Sequence, residues 1–466
     1  MRRKKVVLHN VVMESYAAEG KSLAKVEGKV IFVENTIPGD EVDVLIRKNK
    51  KDWAEGTALH FHRLSDIRVE PFCQHFGVCG GCQWQMLPYN QQLKYKQQQV
   101  TDNLKRIGKI ELPEILPILG AAETTRYRNK MEYTFANKRY LLKEEINNPD
   151  ISSDDNVVGF HARGLFDKVV PIFECHLQVE PTNYLRLAIW EYAKEQKISH
   201  YDIRNHTGYL RNLLVRIATT GEIMVNLVVG YEDKKIRVPL LDFIKNKFPE
   251  ITTLLYTVNQ KWNDNLFDQQ PQAYTGKGHI IEKLEGFAFK ISPKSFFQTN
   301  TRQGEKLYQI TRAFAELNGT QTVYDLYCGT GSIGIFVSKL ANKIVGVEVV
   351  EDAIEDAKEN ARLNNLNNAA FYAGDVIDIC DDLFFEKNGR PDVIITDPPR
   401  AGMHEKLVRK LLDIAAPLIV YVSCNPATQA RDLALLDEKY IVTKIQPVDM
   451  FPHTLHIENV VQLKLR

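Results

Sequence analysis

The C-terminal part of the chain alternates short apolar runs with stretches of helical spacing. From about residue 291 onward the runs are TVYDLYCG, KIVGVEVV, AAFYAGDV, PDVIITDPP and PLIVYVSCN. Continuous apolar runs joined by helical patterns are typical of parallel strands with helical crossovers. We therefore predict an α/β domain with a parallel sheet over residues 291–466.

The first 60 residues follow a different pattern. Three short segments of β character, LAKVEG, KVIFVEN and DEVDVLIRKN, are separated by Gly20, Gly28 and the turn Ile37-Pro38-Gly39-Asp40. Short strands broken by glycine and proline indicate a small all-β domain. We predict a small β-barrel over 1–60, a fold whose five-stranded forms often bind RNA.

The intervening residues 61–290 mix both patterns. Strand-like runs such as LLVRIATT and EIMVNLVVG accompany a predicted helix near 181–196. A second helix is predicted within PYNQQLKYKQQQVTDNLKRIG, from the spacing of Leu93, Val100, Leu104 and Ile107. The polar insertion KEEINNPDISSDDN is predicted to be a loop. We interpret this region as a central α+β domain.

Length and composition agree with three such units. The chain has 466 residues, of which 44% are hydrophobic and 26% charged, and a domain takes about 150 residues. No apolar run approaches the ~18 residues of a membrane helix, and the basic start lacks a signal-peptide core. We expect a cytoplasmic protein that does not bind membranes.

A net charge of +1 leaves little general attraction to nucleic acid, so a basic surface must be local. The stretch Arg126-Tyr127-Arg128-Asn129-Lys130, with Tyr133 close behind, interleaves cations and aromatics. Such a stretch can hold phosphates and stack on bases. A solvated strand face would have the same composition, and on composition alone that interpretation is favoured.

The seven cysteines are odd in number and unevenly spaced, which argues against a disulfide framework. Cys73, Cys79 and Cys82 form C-x5-C-x2-C, and Cys175 follows in FECHL. Four soft thiolates suit either an iron–sulfur cluster or a structural zinc ion, and their residue types leave both open. We interpret Cys328 and Cys380 as structural.

A glycine-rich turn follows the first strand of the α/β domain, in Asp325-Leu326-Tyr327-Cys328-Gly329-Thr330-Gly331. Glycines there let backbone approach a nucleotide-like ligand closely. Glu348 ends the next strand, where a carboxylate can hold ribose hydroxyls, and Asp375 ends the third, where it could meet an adenine edge. With Asp397-Pro398-Pro399 ending the fourth, this order resembles S-adenosylmethionine-dependent methyltransferases.

The position after this Asp-Pro-Pro is Arg400, whereas amino-group methyltransferases carry a stacking aromatic there. A later strand end presents Cys424 in SCNPAT. Carbon C5 of uracil is a poor nucleophile, and a thiolate that adds to C6 activates it. The reaction then needs a base for the C5 proton, for which Glu458 is the candidate; His456 would point to the same side if this segment is extended.

These motifs together resemble the RNA uracil-5 methyltransferase family, and the N-terminal segment resembles a TRAM domain. The motifs are SCNPAT, HIENV, DPPR and FFQTN. The resemblance implies a Rossmann-like, S-adenosylmethionine-dependent domain with Cys424 as nucleophile and Glu458 as proton acceptor. It implies that the cofactor and target site includes Gln298, Tyr327, Glu348 and Asp397, to which we add Ser332, where relatives often have Asn, and Asp375 from its strand-end position. A [4Fe–4S] cluster on Cys73, Cys79, Cys82 and Cys175 is also implied.

The function implied is transfer of a methyl group from S-adenosylmethionine to C5 of a uridine, with 23S rRNA as the expected partner and a monomer as the expected state. A TRAM domain together with a cluster points to rRNA. Three alternatives stay open: a tRNA uridine-C5 methyltransferase, an amino-group methyltransferase that acts through Asp397-Pro398-Pro399-Arg400, and a non-catalytic iron–sulfur RNA-binding protein.

Overall fold

The computed structural model describes residues 6–17 and 20–466. Its N-terminal part is one six-stranded sheet in the order β1-β5-β6-β4-β3-β2. The alternating inward side chains of these strands, among them Val11, Ile31 and Val44, form a separate small core. The strands are β1 (Val7–Val12), β2 (Ser15–Tyr16), β3 (Ser22–Val26), β4 (Lys29–Glu34), β5 (Glu41–Asn49) and β6 (Trp53–Arg63).

The central part is built on a seven-stranded sheet in the order β13-β12-β11-β10-β7-β8-β9. Its strands are β7 (Lys130–Ala136), β8 (Val157–His161), β9 (Val169–Pro171), β10 (Leu210–Ile217), β11 (Ile223–Val229), β12 (Thr253–Val258) and β13 (Gln272–Thr275). Helices α2 (Thr182–Glu195) and α3 (Lys234–Lys247) contribute buried leucines and isoleucines to its core. Helix α2 confirms the helix expected near 181–196.

The first helix, α1 (Tyr89–Asn103), continues as a π-helical turn over residues 104–108 and confirms the second predicted helix. Its buried Val100 and Leu104 share a core with Leu433 of the C-terminal part. The chain after it runs beside a C-terminal strand, where Ile115 and Leu119 bridge to Ile445 and Val448. Residues 89–119 therefore pack on the C-terminal part, and the domain boundaries near 60 and 290 stay predictions.

The C-terminal part is a seven-stranded sheet in the order β18-β17-β16-β19-β20-β22-β21, preceded by the hairpin β14–β15. Neighbouring strands from β16 to β20 pair in parallel, which confirms the predicted alternation. The strands are β14 (Ile280–Leu284), β15 (Phe287–Ile291), β16 (Thr322–Leu326), β17 (Lys343–Glu348), β18 (Ala369–Ala373), β19 (Val393–Thr396), β20 (Leu418–Ser423), β21 (Tyr440–Val448) and β22 (Glu458–Leu465).

Seven α-helices of the described residues accompany this sheet, and β22 pairs antiparallel with both β20 and β21. The helices are α4 (Thr301–Phe314), α5 (Ser332–Val337), α6 (Glu351–Leu363), α7 (Val376–Ile379), α8 (Asp382–Asn388), α9 (Glu405–Ile414) and α10 (Pro426–Leu436). The antiparallel hairpin β21–β22 matters for function because it brings a carboxylate, Glu458, to the end of β20.

The polar insertion over residues 143–156 contains neither helix nor strand, as expected. Within the described parts of the chain, none of the helices combines the length and the apolar character that a membrane crossing requires.

Candidate active site

The turn between β16 and α5 has the backbone conformation that its glycines suggested. Tyr327, Gly329 and Gly331 all have positive φ angles, of 60°, 52° and 76°. A Cβ atom at Gly331 would lie 2.9 Å from the Phe371 ring, so a larger residue does not fit there, whereas a Cβ at Gly329 would meet open space. The turn is therefore closely packed at Gly331, against Phe371, and has free space beside it at Gly329.

The predicted acids after β17 and β18 border this turn. Glu348 accepts a hydrogen bond from the backbone nitrogen of Gly329 at 3.2 Å and another from Val350 at 3.1 Å. Asp375 caps α7 by accepting from the backbone nitrogen of Ile377 at 2.9 Å. Both carboxylates lie where parallel strands end, at the edge of the sheet that usually binds ligands.

A buried carboxyl group that the sequence analysis did not select lies beneath the turn. Asp325 of β16 accepts from the backbone nitrogen of Gly334 at 2.8 Å through one oxygen, and its other oxygen has no partner. Burial, helped by the charges of Asp397 and Glu348, raises the pKa of Asp325 to about 7. Its signal was present in the sequence, as the one acid within the apolar run TVYDL.

Three neighbouring strand ends bring Asp397, Cys424 and Glu458 together. Asp397 follows β19, Cys424 follows β20, and Glu458 begins β22, where Ser423 pairs with Asn459. Burial raises the pKa of both carboxyl groups, and the charge of Asp397 raises that of Glu458 further. At neutral pH such carboxyl groups are much better proton acceptors than ordinary surface acids.

The Cys424 thiol responds to the same neighbours. Burial raises its pKa to about 11, the charges of Glu458 and Asp397 add to the rise, and the Arg400 guanidinium opposes it. The turn that carries Arg400 is fastened to the turn after β20, because the Arg400 carbonyl accepts from Asn425 Nδ2 at 3.1 Å and from Thr428 Oγ1 at 3.3 Å. Pro426 occupies the first turn of α10, so strand β20 ends just before the thiol.

Two further predicted site residues lie beside α4. Gln298 is buried in the segment before this helix, and its backbone carbonyl accepts a hydrogen bond from Asn129 Nδ2 at 2.8 Å. Ser332 begins α5, and its hydroxyl shares a 2.9 Å hydrogen bond with the buried Tyr308 hydroxyl. Tyr308 was missed because it occupies an ordinary core position of an amphipathic helix.

Two interpretations that the sequence left open do not hold in the structure. His456 precedes β22 rather than lying within it, and its side chain is exposed whereas Glu458 is buried, so strand alternation does not relate the two. Tyr127 and Tyr133 cannot stack on bases, because both rings are buried; the Tyr127 hydroxyl donates to the Pro452 carbonyl at 2.9 Å. Of the stretch 126–130, only Arg126 is exposed.

The four cysteines Cys73, Cys79, Cys82 and Cys175 line one cavity of about 340 Å³, together with Arg128 and Thr454. Burial raises the pKa of Cys79 to about 11 and that of Cys82 to about 12. In residues 6–17 and 20–466, no three His, Cys, Asp or Glu side chains are arranged to hold one metal ion. His75 Nε2 accepts a hydrogen bond from the backbone nitrogen of Phe173 at 3.0 Å.

Comparisons with known proteins agree with this architecture. Residues 10–59 match the TRAM domain and residues 317–444 match a methyltransferase domain. An uncharacterized RNA methyltransferase from Bacteroides thetaiotaomicron is 55% identical over 97% of this chain and its own full length. One from Porphyromonas gingivalis is 50% identical over 96% of this chain and 98% of its own length.

A solved structure is also similar over nearly the whole chain. The tRNA (uracil-54, C5)-methyltransferase of Pyrococcus abyssi, in complex with S-adenosyl-L-homocysteine, superposes with a TM-score of 0.74. It is 29% identical, and the match covers 97% of this chain and all of that one.

Proposed function

The chain belongs to the TRAM-domain RNA methyltransferase family, whose members use S-adenosylmethionine, and we propose that it methylates C5 of a uridine in RNA. One observation carries the proposal: a thiol, Cys424, and two buried carboxyl groups, Asp397 and Glu458, lie at adjoining strand ends. A nucleophile and a base are the two groups that methylation at C5 requires.

The residues around the glycine turn fit S-adenosylmethionine. The open space at Gly329 gives a ligand access to backbone, and Glu348 is already fixed against this turn. When bound, S-adenosylmethionine supplies the electrophilic methyl group that C5 takes up. We propose that it is held by Gln298, Tyr327, Ser332, Glu348, Asp375 and Asp397.

Cys424 is the proposed nucleophile. Its sulfur forms a bond to C6, and the electrons of the C5–C6 double bond move to C5 and the neighbouring carbonyl, so that C5 becomes nucleophilic. With a pKa of about 11, the thiol is protonated at neutral pH and must lose its proton first. The raised pKa of Asp397 makes its carboxylate a suitable acceptor of that proton, so that Glu458 stays ionised for the later step, and Arg400 stabilises the thiolate.

Glu458 is the proposed acceptor of the C5 proton. Its carboxylate removes that proton after C5 has been methylated; the electron pair of the C–H bond re-forms the C5–C6 double bond and expels the Cys424 sulfur. Only 6% of Glu458 is exposed, and burial beside Asp397 raises its pKa, which strengthens it as a base.

The RNA itself is proposed to be 23S rRNA, from the combination of a TRAM domain with four clustered cysteines. A tRNA uridine is the second candidate, because the similar structure from Pyrococcus abyssi is named for uracil-54 of tRNA. Cytoplasmic location and a monomeric state remain predictions. The amino-group alternative lacks a stacking ring, since Arg400 occupies the position where that ring would be.

A cavity of about 690 Å³ between the N-terminal sheet and the central part is the proposed path for flanking RNA. It runs from Asn35 past Arg163 and Phe166 to Leu455, which is three residues before Glu458. Phe166 is 63% exposed, and the Arg204 guanidinium lies 5.4 Å from the centre of its ring. Exposed rings beside cations are suited to stack on unpaired bases.

For the four cysteines we propose a [4Fe–4S] cluster. Four thiolates are also a ligand set for one zinc ion, and the cysteine pattern of the family that the chain resembles is what favours the cluster. A cluster spreads its thiolate ligands more widely, and the four thiols surround a common cavity.

The test of the proposed function is to replace Glu458 by Gln. If Glu458 removes the C5 proton, the E458Q protein forms the bond to C6 but cannot resolve it, so a denaturation-resistant protein–RNA adduct accumulates during incubation with RNA and cofactor. The double variant C424A/E458Q forms none. Absence of an adduct in E458Q would contradict the assignment of the proton acceptor, and an adduct in the double variant would contradict that of the nucleophile.

A further inference from the structure

Residues 449–454 are the first part of the segment that joins β21 to β22 and ends at Glu458, and side chains from several parts of the chain hold them. Asp449 accepts from Lys96 Nζ at 2.7 Å through one oxygen and from the Tyr89 hydroxyl at 2.9 Å through the other. Lys96 and Asp449 have no exposed side-chain surface at all. Two charges enter a protein interior together only where each is matched closely, so this pair fixes its two backbones relative to each other.

The next three residues are each held through their carbonyl groups. The Met450 carbonyl accepts from Asn300 Nδ2 at 2.9 Å, and the Phe451 carbonyl accepts from Lys96 Nζ at 3.2 Å. The Tyr127 hydroxyl donates to the Pro452 carbonyl at 2.9 Å. These side-chain hydrogen bonds satisfy backbone carbonyl groups that are not paired with a neighbouring strand.

His453 is held through both its backbone and its ring. It has a positive φ of 63°, a conformation that most side chains avoid. Its backbone nitrogen donates to Gln92 Oε1 at 2.8 Å, and its Nδ1 accepts from Gln92 Nε2 at 3.0 Å. Burial lowers the pKa of His453 to about 4, so the ring is neutral and can accept that bond.

The same residue is bonded to the chain that carries the cysteines. The His453 carbonyl accepts from the backbone nitrogens of Gln83, at 2.8 Å, and Trp84, at 3.1 Å, directly after Cys82. Gln92 Nε2 also donates to the Trp84 carbonyl at 3.0 Å. The next residue, Thr454, lines the cavity of the four cysteines. One short segment thus borders the cysteine cavity at 454 and reaches the base at 458.

We propose that Gln92 and Lys96 are positioning residues for Glu458, and that residues 449–454 couple Glu458 to the four-cysteine site. The inference rests on the proposed function, because it assigns Glu458 the role of proton acceptor. A group bound by the four thiols fixes the backbone at 82–84, and this backbone in turn fixes His453. Release of that group, or loss of the Gln92 bonds, displaces Glu458.

The coupling is selective for one step of the reaction. Cys424 directly follows β20, whose pairing with β19 and β22 does not involve residues 449–454, whereas Glu458 is the first residue of β22 and pairs with Val448 at the other end of the connecting segment. Bond formation at C6 therefore continues when the segment is displaced, whereas removal of the C5 proton slows. A shift of about 1 Å in a reacting group lowers its rate by about 10²-fold.

The experiment compares Q92L, K96M and C82S with the wild-type protein, each incubated with RNA and cofactor. We expect all three variants to accumulate the denaturation-resistant adduct, and hydrogen exchange at the amides of 449–454 to speed up in each. The matched control is Q98L, on the same helix, because Gln98 is exposed and, among the described residues, its side chain bonds only Asp102, at 2.9 Å. Q98L should behave as wild type in both measurements.

E458Q is included to separate the two proposals. If E458Q accumulates adduct while Q92L and C82S turn over normally, the coupling is wrong and the proposed function stands. If E458Q itself yields no adduct, the assignment of Glu458 as proton acceptor fails, and the coupling fails with it. If a variant does not fold, wild-type protein from which the metal has been removed by a chelator takes its place, and unchanged exchange at 449–454 there would overturn the coupling.

Discussion

The ends of β19, β20 and β22 bring Asp397, Cys424 and Glu458 together through backbone pairing, whereas Cys73, Cys79, Cys82 and Cys175 meet in loops. The first site is fixed by a ladder of strand hydrogen bonds, as in the pairing of Ser423 with Asn459. In the second, the cysteines lie outside every described helix and strand. The first site therefore depends on a bound group only through residues 449–454, whereas the second gains its geometry from what it binds.

The thiols of the two sites also differ in their neighbours. Burial raises the pKa of Cys424 and that of Cys79 alike, to about 11. Cys424 is next to carboxylates that can take its proton and to Arg400, which stabilises the thiolate. The thiols of Cys79 and Cys82 both have Cys73 and Cys175 as neighbours whose negative charge would raise their pKa values, so thiolates at this site repel each other. Their protons leave only when a cation compensates the charge, as metal binding does.

The largest expected effect is complete loss of bound iron when one of the four clustered cysteines is replaced. The wild-type protein, purified without oxygen, should be brown with about four irons per chain, and C79S should be colourless with its iron lost. The control C380A removes a buried thiol outside the cavity and should keep its iron, as iron analysis and the visible spectrum will show. A colourless, zinc-loaded wild-type protein would contradict the cluster.

A smaller effect concerns pH at the first site. Because the pKa of Cys424 is raised to about 11, the thiolate fraction grows by up to about tenfold per pH unit below that value. Glu458, whose pKa is also raised, loses its proton in the same direction. The rate of adduct formation in single-turnover experiments should therefore rise from about pH 6 to about pH 9.

The Arg400 cation lowers the pKa of Cys424, so R400Q should shift this profile to higher pH. A profile that is flat in both proteins would mean that ionisation of Cys424 does not limit the reaction. The proposed difference between the sites, that the neighbours of Cys424 help its thiol to lose a proton, would then be contradicted.

The contrast between the sites explains what could be predicted from the sequence. The parallel sheet followed from periodicity, and the positions of Glu348, Asp397 and Cys424 followed from it, because parallel strands all end at one edge. Glu458 was located by its motif, and its closeness to Cys424 required the antiparallel β22, which no local pattern reveals. The shared cavity of the four cysteines was inferred only from their number and spacing.

Other features depend on tertiary contacts that periodicity does not encode. Helix α1 was predicted, but its packing against α10 was not, because an apolar stripe does not identify its partner. Lys96 reads as a solvent-exposed residue of that helix and is in fact buried against Asp449. Tyr127 resembled a base-stacking ring and instead holds residue 452. The polar groups that position Glu458 were thus invisible before the fold was known.

The measurement that tests the central claim most directly is the identity of the methylated nucleoside. RNA incubated with the protein and isotopically labelled S-adenosylmethionine is digested, and its nucleosides are separated and analysed by mass spectrometry. We expect the label in 5-methyluridine with the wild-type protein and none with C424A, although C424A still binds the cofactor. Label on a base amino group, or 5-methyluridine formed by C424A, would contradict the account.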